Sequence, residues 1–185
     1  MKEFLLSGFF LCALIGAAQG KDWQVDTADS TLSFTGEQSG KKFEGGFKKF
    51  TANISFDPEH PEAGHITAII DIASIYAGDV TRDVTLPKED WFDSTVFPQA
   101  QFITTAIHEI APGHYEADAT LTIKGITRPI ALPFTLAPEM DHWRAKGKVT
   151  LTRTDFGIGQ GIYASEDYVK YPVEVTIDLA AKPLP

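Results

Sequence analysis

Five histidines, His60, His65, His108, His114 and His142, are the side chains of this sequence best suited to holding a metal or moving a proton. A zinc site needs three or four converging nitrogen, sulfur or oxygen ligands. His60 and His65 flank the turn sequence "DPEHPEAG", where Glu59 and Glu62 would complete only a weak grouping; solvated turn residues are the simpler reading. His114 sits in a second turn, "APGH", His108 and His142 fall at strand ends, and no H-x-x-x-H pair lies on a helix. A serine nucleophile needs a base and an oxyanion hole. There is no G-x-S-x-G elbow, and Ser94 in "FDST" reads as the start of a turn. Asp83, Asp90 and Asp93 could do acid–base work if burial split their pKa values, but helix capping accounts for them more simply. The run "DFGIGQG" places Gly157, Gly159 and Gly161 two apart. A dinucleotide loop needs G-x-G-x-x-G between a strand and a helix, whereas here position 162 is Ile and "IYASEDYVKYP" leads back to a strand. The run reads as a flexible crossing between the last two strands, with glycine allowing positive φ or close backbone approach. The sequence predicts no enzyme, no metal site and no cofactor.

The frame that would carry any site is one domain, since the chain has 185 residues. Residues 1–20 read as a secretory signal peptide: Lys2, an apolar run over 4–18, and Ala18 and Gly20 at the −3 and −1 positions before Lys21. The run is shorter than the roughly 18 residues of a membrane span, with a retained N-terminal anchor as the alternative. Cys12, the only cysteine, lies in this leader, and Phe9-Phe10-Leu11 ahead of it lack the small pair of a lipid-modified cysteine. Residues 21–185 would then contain neither a disulfide nor a thiol nucleophile. A net charge of −9 disfavours nucleic acid and docking on an anionic membrane by charge. A periplasmic or secreted protein is the expectation.

From Thr31 onward the dominant period is two, the signature of half-buried strands. Tyr115, Ala117, Ala119, Leu121 and Ile123 share one face; so do Trp143, Ala145, Gly147, Val149 and Leu151, and Val173, Val175, Ile177 and Leu179. In "ITRPIALPFTL", Ile130, Leu132, Phe134 and Leu136 alternate with positions that include Pro129 and Pro133, which predicts an edge or bulged strand. "KKFEGGFKKFTANISF" changes phase between Phe47 and Phe50, predicting a bulge near 45–49. "AQFITTAIHEI" is a strand whose inward face the pattern does not assign. "KGIT" is a tight hairpin. In the stretch that breaks the pattern, Asp79 is expected to cap one short helix and Pro87 to open another. About eight antiparallel strands with one helical insertion predict an all-β barrel just wide enough for side chains or one small ligand. Small inward positions such as Ala68, Ala117, Ala119, Ala145 and Gly147 fit either taper or a cavity.

The segments "WQVDTADSTLSF", "FKKFTANISFDP", "IIDIASI", "TRDVTLPKEDWFD", "ATLTIKGITRPIAL" and "RTDFGIGQG" together resemble the YceI-like family, from Trp23 to about Leu179. The resemblance implies a periplasmic eight-stranded antiparallel lipocalin-like barrel whose apolar tunnel binds one long-chain amphiphile: a polyisoprenoid, a quinone-type isoprenoid or a fatty-acid derivative. It makes a homodimer plausible. "FGIGQG" is similar to the subgroup that accompanies membrane cytochrome b561-type proteins, which would favour a quinone and a cytochrome partner. The histidines that relatives often carry ahead of the serine matching Ser30, and after the strand holding Phe34, are replaced here by Ala28-Asp29 and Gln38-Ser39-Gly40, so no role of theirs carries over.

An apolar chain needs a lining of aliphatic and aromatic groups. Phe34, Phe47, Phe50, Ile70, Ile72, Trp91, Phe92, Ala119, Leu121, Phe134, Trp143, Val149 and Leu151 are the candidates. Arg82 is the first choice for a polar head group, followed by Thr127, Arg128, Arg153 and Asp155. For Arg153, an ion pair with Asp155 or Asp83 that pins a loop is the competing reading. The function expected is that of a binding or carrier protein for an isoprenoid lipid; the alternatives are a structural or stress-related protein with a packed core, or a redox partner of a membrane cytochrome.

Overall fold

The computed structural model describes residues 20–184. The expected leader, with Cys12, lies outside the described residues except for Gly20. Ten strands are present among the described residues: β1 (Lys21–Gln38), β2 (Lys41–Phe47), β3 (Phe50–Phe56), β4 (His65–Asp71), β5 (Ile75–Tyr76), β6 (Gln99–Ala111), β7 (His114–Ile123), β8 (Ile126–Glu139), β9 (His142–Thr152) and β10 (Pro172–Pro183). Two pairs act as single bent strands. β2 and β3 pair with successive parts of β1, and β4 and β5 pair with β3 and β2 on either side of a one-turn 3-10 segment, Ile72–Ser74. Counted this way, eight antiparallel strands run round a barrel that closes where β10 pairs with β1.

The local chemistry explains the bends. The break between β2 and β3 falls at Lys48 and Lys49, so Phe47 and Phe50, of opposite parity, reach the same interior. In β6 the register against β7 shifts between Thr104 and Ala106. Ala100, Phe102 and Thr104 belong to one alternation and Ile107 to the other, and this is why no single inward face could be assigned. The β7–β8 hairpin turns on Lys124 (φ 50°) and Gly125 (φ 73°), the pair of positive φ values that a two-residue turn matched to strand twist requires.

β8 has a neighbour on both sides, yet the half that carries Pro129 and Pro133 does not. It pairs with β7 along Ile126 to Thr135, but with β9 only from Phe134 to Glu139. Pro129 and Pro133 therefore lie where β8 has parted from β9, and the expected edge is a local one.

One end of the barrel, where β1 and β10 start and end respectively, is stitched by charge. Arg144 of β9 donates to Asp29 (2.8 Å), Glu139 (3.0 Å) and Asp178 (3.2 Å). It thereby clamps the bulge of β1 between Asp26 and Thr31 onto the neighbouring wall. Lys182 donates to Asp141 at 2.6 Å. With His142 alongside, this ammonium lowers the Asp141 carboxyl from 3.8 to about 2. A depressed carboxylate pKa stabilises the fold above the unfolded value and loses that contribution as pH falls through the folded one. The expected window is thus pH 3.8 down to about 2. Lys182→Met should move the Asp141 midpoint, followed by carboxyl NMR, back toward 3.8; an unchanged midpoint would remove Lys182 as the main cause.

At the other end, two connections lie across the opening. In the first, Asp79 accepts from the Thr81 and Arg82 amides and caps α1 (Val80–Thr85). The second helix expected from Pro87 is not formed. The chain instead folds back through turns, with Phe92 N–H donating to Leu86, Ser94 N–H to Pro87 and Asp93 at φ 49°. Burial of Trp91 inside this reversal outweighs the helix-start signal. Asp83 accepts from the Ala77 amide and ties the connection to itself. The second connection runs over 153–171.

Candidate functional site

Inward-facing residues of every strand but β5 line a cavity of about 220 Å³, all of them apolar. A packed interior leaves few voids larger than one water, and a water needs only some 10–15 Å³ of such space. The small residues Ala52, Ala68, Ala117, Ala145 and Gly147 line the cavity, so here they leave volume unfilled rather than merely fitting a taper.

Of the candidate contacts, Phe47, Phe50, Ile70, Leu121, Phe134, Trp143, Val149 and Leu151 line this space. The others do not. Phe34 packs between Phe43 and Phe47. Ile72 is buried in the 3-10 turn after β4. Trp91 and Phe92 belong to the packing beneath the two connections, and Ala119 is buried against neighbours without reaching the cavity. Arg82 lies off the cavity lining: it donates to the Ala77 carbonyl (3.0 Å) and to Gln38 (3.3 Å) and lies over the Phe43 ring. Several lining residues were not singled out. Leu132, Val175, Ile177 and Leu179 were legible as inward faces, whereas Phe102 was hidden by the phase change of β6 and Trp23 by the irregular first strand.

Both ends of the cavity are packed. At the connection end Leu86, Trp91, Phe156, Ile158 and Val169 form a buried cluster with Ile75 and Leu121. At the opposite end Trp23, Phe56, Ile107 and Tyr115 are buried. Their rings interlock, with Phe56–Tyr115 and Tyr115–Phe134 centroids at 5.3 Å and Trp23–Trp143 at 5.9 Å. The Trp23 indole donates to the Phe56 carbonyl at 2.8 Å.

Arg153 holds the connection end together and is only 4% exposed. Neither Asp155 nor Asp83 pairs with it. Its Nε donates to Lys170, Nη1 to Ile158 and Gly159, and Nη2 to Tyr163, Ser165 and Val169, all at carbonyl oxygens between 2.6 and 3.1 Å. The guanidinium lies near the Trp91 and Tyr171 rings. Burial lowers its pKa, and Tyr171 and Glu166 oppose that shift. Gly159 explains the glycine run: at φ 77° an added Cβ would strike Arg153 Nη1. The second connection also joins the first, through Gly159 and Gln160 amides on the Asp90 carbonyl.

No group of three or more His, Cys, Asp or Glu side chains is placed to hold a metal among the described residues. His60 faces Glu62 in its exposed turn, while His142 is largely covered, close to Glu139 and Asp141.

The family model described as YceI-like domain matches residues 23–181. A UPF0312 protein of Pseudomonas savastanoi pv. phaseolicola is 33% identical over 154 residues, covering 77% of this chain and 79% of that protein. The crystal structure of Burkholderia cenocepacia BcnA superposes with a TM-score of 0.83 at 32% identity, covering 86% of this chain and 100% of the other. A polyisoprenoid binding domain from Saccharophagus degradans, implicated in plant cell wall breakdown, has the same fold, with a TM-score of 0.71 at 14% identity over 89% of this chain and 99% of that one.

Proposed function

The chain belongs to the YceI-like domain family, and from that premise we propose that it is a periplasmic, non-enzymatic carrier for a long-chain isoprenoid lipid of polyprenyl or quinone type. The observation that carries this reading is a cavity with no polar residue in its lining, packed at both ends. Such a space rewards only apolar surface, at ~0.8 kcal/mol per methylene buried. The fold relative from Saccharophagus degradans described as polyisoprenoid-binding supports the same ligand class by analogy, and the leader pattern of residues 1–20 supports the compartment.

A lining without polar groups selects by chain length and bulk, and leaves the head group to weak contacts outside it. Affinity is expected to rise with the number of isoprene units and to change little between an alcohol and a quinone of equal chain length. Trp23 and Trp143 line the cavity, so their fluorescence reports occupancy directly. Titration of delipidated protein with polyprenols and quinones of graded length checks this. No binding by any isoprenoid, or affinity set by the head group at constant length, would overturn the reading.

A further inference from the structure

We propose that the lipid chain enters through the side of the barrel, along the seam where β8 parts from β9. This rests on the isoprenoid reading and concerns its route. The seam follows from hydrogen-bond alternation. Residues flanking a two-residue hairpin bond each other, and alternate residues beyond them point their N–H and C=O to the opposite side. From the Ile123–Ile126 pair, residues 129, 131 and 133 of β8 face β9 rather than β7. From the Glu139–His142 pair, residues 139, 137 and 135 bond β9, and the next due is 133. Positions 133 and 129 are proline and have no N–H. The β8–β9 ladder stops at Phe134–Gly147, immediately before the first missing donor.

The unpaired edges, 126–133 and 148–152, leave a slot about six residues or ~20 Å long. Its upper limit is the second connection, where Gly157 approaches Ile126. Directly behind it stand Ile130, Leu132, Val149 and Leu151 of the cavity lining. The outward positions of its β8 rim are Thr127, Pro129, Ala131 and Pro133, and those of its β9 rim are Lys148, Thr150 and Thr152, where Lys148 is drawn aside to Glu174 at 2.9 Å. Prolines on the rim also discourage another strand from pairing there. Another unpaired stretch separates 24–31 of β1 from residues 48–53, the break before β3 and its first half. It carries Asp26, Asp29, Lys48 and Lys49, and Arg144 and Ser30 tie its β1 side down. Of these two stretches, the β8–β9 seam is the less charged way in.

The test uses the delipidated full chain with Cys12→Ser, and dansyl-farnesol supplied in phosphatidylcholine vesicles. Ala131→Cys with Thr150→Cys, bridged by a short reducible bismaleimide, should slow uptake at least about tenfold, and cleavage of the bridge should restore it. The pair Pro129→Val with Pro133→Val needs no chemistry; it should extend the ladder, slow uptake and protect the Ala131 amide from exchange. Uptake unchanged by both would overturn the route. So would slowing seen only when Thr27→Cys and Thr51→Cys are bridged. No uptake by the unbridged protein would instead overturn the isoprenoid reading, and the route with it.

Discussion

Arg153→Met is expected to lower stability by about 3–5 kcal/mol, because several buried acceptors lose a charged donor at about 1–3 kcal/mol each. Six carbonyl oxygens accept from this one guanidinium, and methionine would leave them desolvated without donors. Hydrogen bonds to charged groups are worth more than neutral ones, and a buried acceptor left unmade carries the full desolvation cost. Lysine should not rescue it, because a point ammonium with three donors cannot span a planar fork's targets. Gly159→Ala should cause part of the same loss, since its Cβ would strike Nη1 and its φ of 77° disfavours any side chain. Urea denaturation measures the global loss, and amide exchange over 153–171 locates it. Wild-type stability in Arg153→Met would mean that the second connection is held by its apolar contacts alone.

Ala68→Phe should abolish isoprenoid binding while leaving the protein folded. Ala68 lies opposite Ala52 on the β3–β4 ladder, and both line the cavity. A ring there takes the volume the lipid would occupy, and burying it in an existing void costs little. Ala119→Phe is the contrasting change. Ala119 is 3% exposed and does not line the cavity, so a ring must displace packed neighbours at about 1–3 kcal/mol. Binding should fall with stability at position 119 and without it at position 68. Undiminished binding by Ala68→Phe would show that the ligand sits elsewhere.

The barrel was legible wherever alternation ran unbroken, as from Tyr115 to Ile123, because a half-buried strand must repeat every second residue. The prolines of β8 announced an edge, but not that the edge occupies only half a strand. The inward face of β6 was illegible because the register shift between Thr104 and Ala106 erases the period that would have revealed it. Pro87 misled for a different reason: a helix-start signal is local, and the burial of Trp91 is not. Arg153 could be marked as a residue that pins a loop, but an ion pair was the only partner a sequence displays. Backbone carbonyls of a folded loop carry no side-chain signature, so its true acceptors appear only in three dimensions. The partners of Arg82 were illegible on the same ground, since a backbone carbonyl, Ala77 O, and the Phe43 ring engage it.

The central claim is that the apolar cavity holds an isoprenoid chain. Its most direct test is mass spectrometry of lipids extracted from the protein purified, without detergent, from its native host. The expected result is one long-chain polyprenyl or quinone species near one mole per mole of protein, absent from Ala68→Phe prepared in the same way. Protein that carries no isoprenoid, and takes none up when polyprenol or quinone is supplied, would contradict it.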